Sequence, residues 1–154
     1  MKQLTLALIA FVLLSCGTSK TIQQSKKTIK GQWLLETVTY SETGSFNVNL
    51  LQDASAACFE GSSWQFIPNN NTGTYAINGE NCATDIRHFI FTIEDVGTEF
   101  QSFLLKPTDE KKKSATNQGF RLQLTQLTES NMTLQQTVTL EGKPFKITMN
   151  FSKK

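Results

Sequence analysis

The stretch MTLQQTVTLEGKPFKITMNF, residues 132–151, decides the fold class of this chain. Apolar and polar side chains alternate along both halves of the stretch, which is the period of a β-strand with one buried and one solvated face. The apolar positions of the second half are Phe145, Ile147, Met149 and Phe151. Between the halves, Glu-Gly-Lys-Pro at 141–144 is typical of a tight turn. The stretch therefore predicts a β-hairpin.

The same pattern recurs upstream, and turn-forming residues separate the segments. Pro-Asn-Asn-Asn-Thr at 68–72 predicts another hairpin turn, because asparagine tolerates positive φ. Residues 46–59 are harder to interpret and fit a loop or a short helix. The predicted strands cover residues 31–40, 62–67, 73–77, 85–94, 100–106, 120–127, 132–140 and 145–151.

Eight closely spaced strands predict an all-β fold, an antiparallel up-and-down barrel, which leaves no exposed edge strand. A two-sheet sandwich would show the same alternation and is the alternative architecture.

The N-terminus carries the pattern of an export signal. Lys2 precedes an apolar run at 4–14, which is too short to span a bilayer but has the length of a signal-peptide core. Leu-Leu-Ser-Cys at 13–16 then resembles the lipobox of bacterial lipoproteins. The resemblance implies cleavage before Cys16, a diacylglycerol on its thiol and a further acyl chain on its amine. The other interpretation is an ordinary signal peptide followed by an incidental cysteine.

These features divide the chain into a signal peptide at 1–15, a lipidated N-terminus with a flexible tether at 16–30, and a barrel domain at 31–154. Residues 17–30 are polar, contain four lysines and show no apolar periodicity, which predicts a flexible tether. Its lysines either touch anionic headgroups or are simply solvated. After Cys16 there is neither an aspartate like that of an inner-membrane retention signal nor an acidic run like that of a surface-export signal. We therefore expect an outer-membrane protein facing the periplasm.

Export also bears on the two remaining cysteines. In an oxidising compartment Cys58 and Cys82 most simply form a disulfide. The alternative, a metal site or a nucleophilic pair, has little support, since structural zinc usually takes four ligands and His88 is the single histidine.

Composition argues against several other functions. Fifteen basic and 13 acidic side chains nearly balance, so no strong field favours nucleic acid. No nucleophile, base and orienting group occur in a catalytic motif. We expect no enzymatic activity, metal or cofactor, and a monomer.

Gly31-Gln32-Trp33, at the start of the first strand, resembles the first signature of the lipocalins, and the run at 58–75 resembles the lipocalin-like lipoproteins of the Bacteroidetes. The resemblance implies a calyx around an apolar interior that binds one small apolar or amphipathic molecule. The chain ends on a strand with no room for the C-terminal lipocalin helix. Lipocalins also place an arginine over the tryptophan, and the arginines here are Arg87 and Arg121. Alternation directs Arg121 away from the inward row.

We predict that the late strands supply the ligand-binding residues. Gln136 interrupts their inward row, and a buried amide needs a hydrogen-bond partner, which a ligand, a neighbouring strand or water would supply. The polar stretch at 107–119 either gates one mouth of the barrel or is a solvated loop. The alternative function is a filled barrel that acts as a structural or interaction protein of the envelope. The candidate residues are Phe120, Leu122, Leu134, Gln136, Val138, Phe145, Ile147 and Met149.

Overall fold

The computed structural model describes residues 19–154, and eight of its strands close into one barrel. These strands are β1 (Gly31–Tyr40), β4 (Ser63–Ile67), β5 (Thr72–Ala76), β6 (Ile86–Asp95), β7 (Gln101–Thr108), β8 (Phe120–Leu127), β9 (Asn131–Leu140) and β10 (Lys143–Lys153). Their hydrogen-bonded order is β1-β10-β9-β8-β7-β6-β5-β4, every pairing is antiparallel, and β1 closes the barrel against β4. The predicted barrel is confirmed, and the sandwich is not formed.

The hairpin of β9 and β10 is tighter than the sequence pattern indicates. Lys143 pairs with Leu140, so the turn contains only Glu141 and Gly142, with φ of 51° and 78°. Two central residues with positive φ match the right-handed twist of the strands on either side. The turn therefore sets the register in which Phe145, Ile147, Met149 and Phe151 point inward.

The β4–β5 hairpin also forms as predicted. A 3-10 turn, Pro68–Asn70, is followed by Asn71 in the left-handed region at φ 52°. Beyond it, Gly73 lies under the ring of Phe89, where an added Cβ would come within 2.3 Å of Phe89 Cζ. The aromatic ring occupies the space that any side chain at 73 would need.

The segment between β1 and β4 folds over one end of the barrel. It contains a two-stranded hairpin, β2 (Asn49–Leu50) with β3 (Ala54–Ser55), and a one-turn helix, α2 (Ala56–Phe59). The Cys58–Cys82 disulfide forms as predicted, with the two Cα atoms 5.8 Å apart, and attaches α2 to the β5–β6 connection.

A helix, α1 (Lys20–Ile29), replaces most of the predicted tether. Ser19 caps it by accepting a hydrogen bond from Ile22 N at 3.3 Å, and Ile22, Thr28 and Ile29 are buried against the barrel. The prediction of a flexible tether is therefore wrong for residues 20–29. Cys16 and the rest of the lipobox lie outside the described residues. No helix among residues 19–154 is long and apolar enough to cross a membrane.

Side chains fill the barrel interior. One side, formed largely by β4 to β7, is packed with aromatic rings, among which Trp64 stacks on Tyr75 at 4.6 Å and Phe91 on Phe103 at 5.3 Å between centroids. The other side is mainly aliphatic. Its buried members on β8, β9 and β10 include Leu122, Leu124, Met132, Leu134 and Met149.

Candidate binding site at the barrel mouth

The two ends of the barrel are built differently, and α1 seals one of them, which we call the closed end. Trp33 is completely buried there, and its Nε1 donates a hydrogen bond to the carbonyl of Ile29 at 2.8 Å. Lys153 Nζ lies 5.1 Å from the centre of the Trp33 ring and donates to the carbonyl of Thr28 at 2.7 Å. The closed end thus leaves no entrance at Trp33.

The cation over Trp33 is a lysine, so neither arginine plays the role implied by the lipocalin resemblance. Arg87 forms a salt bridge with Asp53, and Arg121 donates to Ser102 at the outer face. Lys153 lies two residues beyond the inward-facing Phe151 on β10. Side chains two residues apart on a strand face the same side, so the sequence pattern could have predicted that Lys153 faces inward.

The opposite end, which we call the mouth, is open. A pocket of about 490 Å³ lies there between the β1–β4 segment and the ends of β8, β9 and β10. We call it the mouth pocket. Its walls are Ser45, Phe46, Asn47, Val48, Asn49, Leu51, Gln52, Phe120, Gln136, Val138, Leu140, Phe145 and Ile147.

The structure divides the predicted ligand-binding residues into two groups. Five of them line the mouth pocket: Phe120, Gln136, Val138, Phe145 and Ile147. The other three lie deeper in the core, are at most 1% exposed and do not line the pocket: Leu122, Leu134 and Met149. A role of either group in binding stays a prediction.

Sequence reasoning missed the wall on the other side of the mouth pocket. Phe46, Val48 and Leu51 come from the segment that had no readable period, and Phe46 packs against Tyr40 and Phe145 with ring centres 5.3 and 4.8 Å apart. The sequence signal for this wall is the pair of apolar residues Phe46 and Val48, two positions apart. A pattern of two residues is too short to predict a strand.

Gln136 and its neighbours place an accessible amide beside apolar side chains in the mouth pocket. Gln136 is half-buried, and within residues 19–154 its side-chain amide has no hydrogen-bond partner. Val138 and Leu140 are 37% and 41% exposed, although both are apolar. An apolar surface beside a free amide is suited to a molecule with an apolar body and a hydrogen-bonding group.

A second pocket, of about 530 Å³, lies across the tip of the β2–β3 hairpin, and we call it the polar pocket. It shares Leu51, Gln52 and Phe120 with the mouth pocket. Its remaining walls are Asp53, Tyr75, Ile86, Arg87, His88, Pro107, Thr108, Asp109, Glu110, Thr116 and Gln118. The predicted gating stretch therefore borders this pocket. Its proposed mobility stays a prediction.

Asp53 fastens the hairpin tip to the barrel. Its Oδ2 accepts hydrogen bonds from Tyr75 Oη and from Arg87 Nε, each at 2.9 Å. Burial, and then the neighbouring Asp53 carboxylate, raise the pKa of the Tyr75 hydroxyl well above its usual range. Tyr75 therefore stays protonated and donates this bond at neutral pH.

The tip itself has an unusual backbone. Leu51 and Gln52 both occupy the left-handed region, at φ of 51° and 53°, which is strained for a bulky side chain. Leu51 is nevertheless only 4% exposed, because this conformation turns its side chain down between the two pockets. The hairpin tip, with Leu51 and Gln52, therefore lies between the mouth pocket and the polar pocket.

The fold and the mouth together define a class, the closed eight-stranded up-and-down barrel with one end sealed and the other open. The structure is similar to the crystal structure of a lipocalin-like protein from Bacteroides uniformis, with a TM-score of 0.51. The match covers 82% of this chain and 99% of that protein, at 11% sequence identity. No protein-family model and no curated protein matches the sequence. The likeness establishes the fold implied by the resemblance at Gly31-Gln32-Trp33.

Proposed function

We propose that this chain is a lipid-anchored binding protein that holds one small amphipathic molecule at the barrel mouth. The mouth pocket carries this proposal, because it combines exposed apolar side chains with the free amide of Gln136. A ligand that buried about 200 Å² of apolar surface there would gain roughly 5 kcal/mol from the hydrophobic effect, before the costs of association.

An amphipathic ligand fits better than a purely apolar one because of the polar pocket next to it. The apolar part of the molecule would lie against Val138 and Phe145, while its polar group would reach Gln136 or pass the tip at Gln52. The filled interior below the mouth limits the depth of binding, since Leu134 is completely buried. We therefore place the ligand at the mouth, above the filled core. The inward-facing residues of the strands alone would suggest a site deeper in the barrel.

The anchoring part of the proposal concerns Cys16, and it is supported by the lipobox pattern and by a disulfide of the kind found in exported proteins. We propose acylation of Cys16, attachment to the outer membrane on its periplasmic side, and a monomeric state. Intact-mass measurement of protein extracted from its own membranes should give cleavage before Cys16 with added acyl mass. An unmodified N-terminus at another residue would contradict it.

The ligand is best tested with a matched pair of variants on β9. Val138→Phe fills the mouth pocket, whereas Thr139→Phe adds the same ring on the neighbouring, outward-facing position. Native mass spectrometry of protein purified from its host should show a bound small molecule in the wild type and in Thr139→Phe, and at least a tenfold lower occupancy in Val138→Phe.

The second candidate is a filled-barrel interaction protein of the envelope that binds no small molecule. The packed rings of the interior favour it, since Trp64 alone contacts five other aromatic residues. Under this alternative no adduct is recovered from the wild-type protein, and Val138→Phe has no effect on its composition.

A further inference from the structure

We propose that the closed end of the barrel rests on the anionic surface of the membrane that holds Cys16, so that the mouth points away from that membrane. The inference rests on the proposed acylation of Cys16 and not on the ligand. It comes from the position, charge and exposure of α1.

Helix α1 presents a basic face at the closed end. Its buried face contains Ile22 and Ile29, which are seven residues apart. The exposed face contains Lys20 and Lys27, also seven residues apart, with Gln24 between them. No acidic residue occurs anywhere from 17 to 35. We call Lys20, Lys27 and the exposed Lys30 that follows the helix the basic face.

The described residues of α1 include no acidic side chain. Lys26 is half-buried and donates to Asn71 Oδ1 at 3.0 Å, and Lys153 is engaged over Trp33. Acidic side chains at this end lie at the end of β6 or in the turns between strands rather than on the helix. They are Glu94, Asp95, Glu99 and Glu129.

The length of chain between the anchor and the helix is short. Only residues 17–19 separate Cys16 from Lys20, and an extended chain spans about 3.5 Å per residue, so Lys20 lies within roughly 14 Å of the lipidated residue. Screened charges at physiological ionic strength interact over about 8 Å. Lys20, at the start of the basic face, is therefore held close to the reach of the headgroup charges. The folding of 20–29 into the barrel produces this proximity, since a flexible tether to Lys30 would allow the domain to move far from the surface.

Charge and tether length together favour one orientation. Each lysine close to an anionic leaflet strengthens binding roughly fivefold. The mouth end contributes no comparable surface, because Lys111, Lys112 and Lys113 share their loop with Asp109 and Glu110. A strand of ten residues, such as β9, is about 33 Å long. The mouth would thus open into the aqueous compartment. Its ligand would exchange with partners on that side rather than with the bilayer underneath.

The test uses the full, acylated chain in lipid vesicles with single labelled cysteines. After acylation of Cys16 and pairing of Cys58 with Cys82, an introduced cysteine is the free thiol available for a fluorophore. Gln24→Cys reports the basic face, and Ala115→Cys reports the exposed mouth loop. The vesicles contain either 30 mol% phosphatidylglycerol or phosphatidylcholine alone, each with a headgroup-attached quencher.

We expect quenching at position 24 to exceed quenching at position 115 at least threefold in the anionic vesicles, and the difference to shrink in the neutral ones. Lys20→Glu with Lys27→Glu should abolish the difference. The matched pair Lys111→Glu with Lys112→Glu changes charge equally at the other end and should preserve it.

The outcomes separate the two proposals. Acylated protein with equal quenching at both positions, or with quenching unaffected by Lys20→Glu and Lys27→Glu, would overturn the orientation and leave the anchoring intact. A chain with no acyl mass would overturn both. The ligand at the mouth is measured independently of either result.

Discussion

The closed end and the mouth are made from the same eight strands, yet their exposed surfaces differ in kind. At the closed end the indole of Trp33 is enclosed, hydrogen-bonded to Ile29 and covered by Lys153. At the mouth, Val138 and Leu140 stay partly exposed and the amide of Gln136 has no partner among the described residues. The difference teaches that burial of the apolar side chains distinguishes the sealed end from the open one, although the strands are alike.

The largest expected effect comes from removing the centre of the closed end. Trp33→Ala should lower the free energy of unfolding by about 3–5 kcal/mol, because it removes a completely buried ring and leaves a cavity. Leu140→Ala, at the mouth, should change it by less than about 0.5 kcal/mol. Urea denaturation of both variants tests the comparison, and similar losses would contradict the proposed difference between the ends.

Loss of the disulfide should weaken the mouth. Replacing Cys58 and Cys82 by serine releases α2 from the β5–β6 connection and removes the closure of a loop with a sequence separation of 24. We expect a loss of about 3 kcal/mol in unfolding free energy. Hydrogen exchange should rise in residues 46–62 while β9 and β10 stay protected at the closed end. A uniform rise over the whole barrel would show that the mouth is not a separate unit.

Overpacking should distinguish the core from the mouth within one strand. Leu134→Phe inserts a larger side chain where nothing is exposed and should cost about 1–3 kcal/mol. Val138→Phe lies four residues further along the same inward row, against the mouth pocket, and should cost less than about 0.5 kcal/mol. Thermal unfolding of the two variants measures the difference directly. Equal destabilisation would mean that the mouth pocket is as tightly packed as the core.

The bond between Tyr75 and Asp53 predicts a smaller effect, at alkaline pH. Because the folded protein raises the pKa of Tyr75 above its unfolded value of about 10, its contribution to stability is complete below pH 10 and is lost as the pH rises beyond it. The loss is at most about 1.4 kcal/mol per pH unit. Tyr75→Phe should show a shallower fall in unfolding free energy between pH 10 and 11.5 than the wild type. Identical slopes would contradict the attachment of the hairpin tip by Tyr75.

Sequence patterns predicted the strands well because each strand buries one face. The segments 31–40 and 120–127 coincide with β1 and β8, and the others differ by one or two residues at their ends. Alternation depends only on which residues face the core. In an up-and-down barrel, strands that follow one another in sequence also pair in space, so this pattern is set locally. Turn residues then supplied the hairpin connections.

The elements that sequence analysis missed bury too few residues to show a period. Helix α1 has only Ile22 and Ile29 on its apolar face, and it forms because the end of the barrel offers them a surface. The β2–β3 hairpin carries its key side chain, Leu51, in a backbone conformation that no propensity favours. Both elements close or shape an end of the barrel, so the strands were predictable and the features that distinguish the ends were not.

The pairing of β1 with β10 has a practical consequence for anyone who fuses this chain to another protein. The backbone amide of Lys154 donates to the carbonyl of Gln32, so a C-terminal purification tag would emerge beside α1. Such a tag would compete for the space around Trp33 and Lys153 and could obstruct whatever that end contacts. A reporter inserted near Ala115, in the exposed loop between β7 and β8, would avoid the closed end. Comparing the two fusions in cells would reveal which end needs to be free.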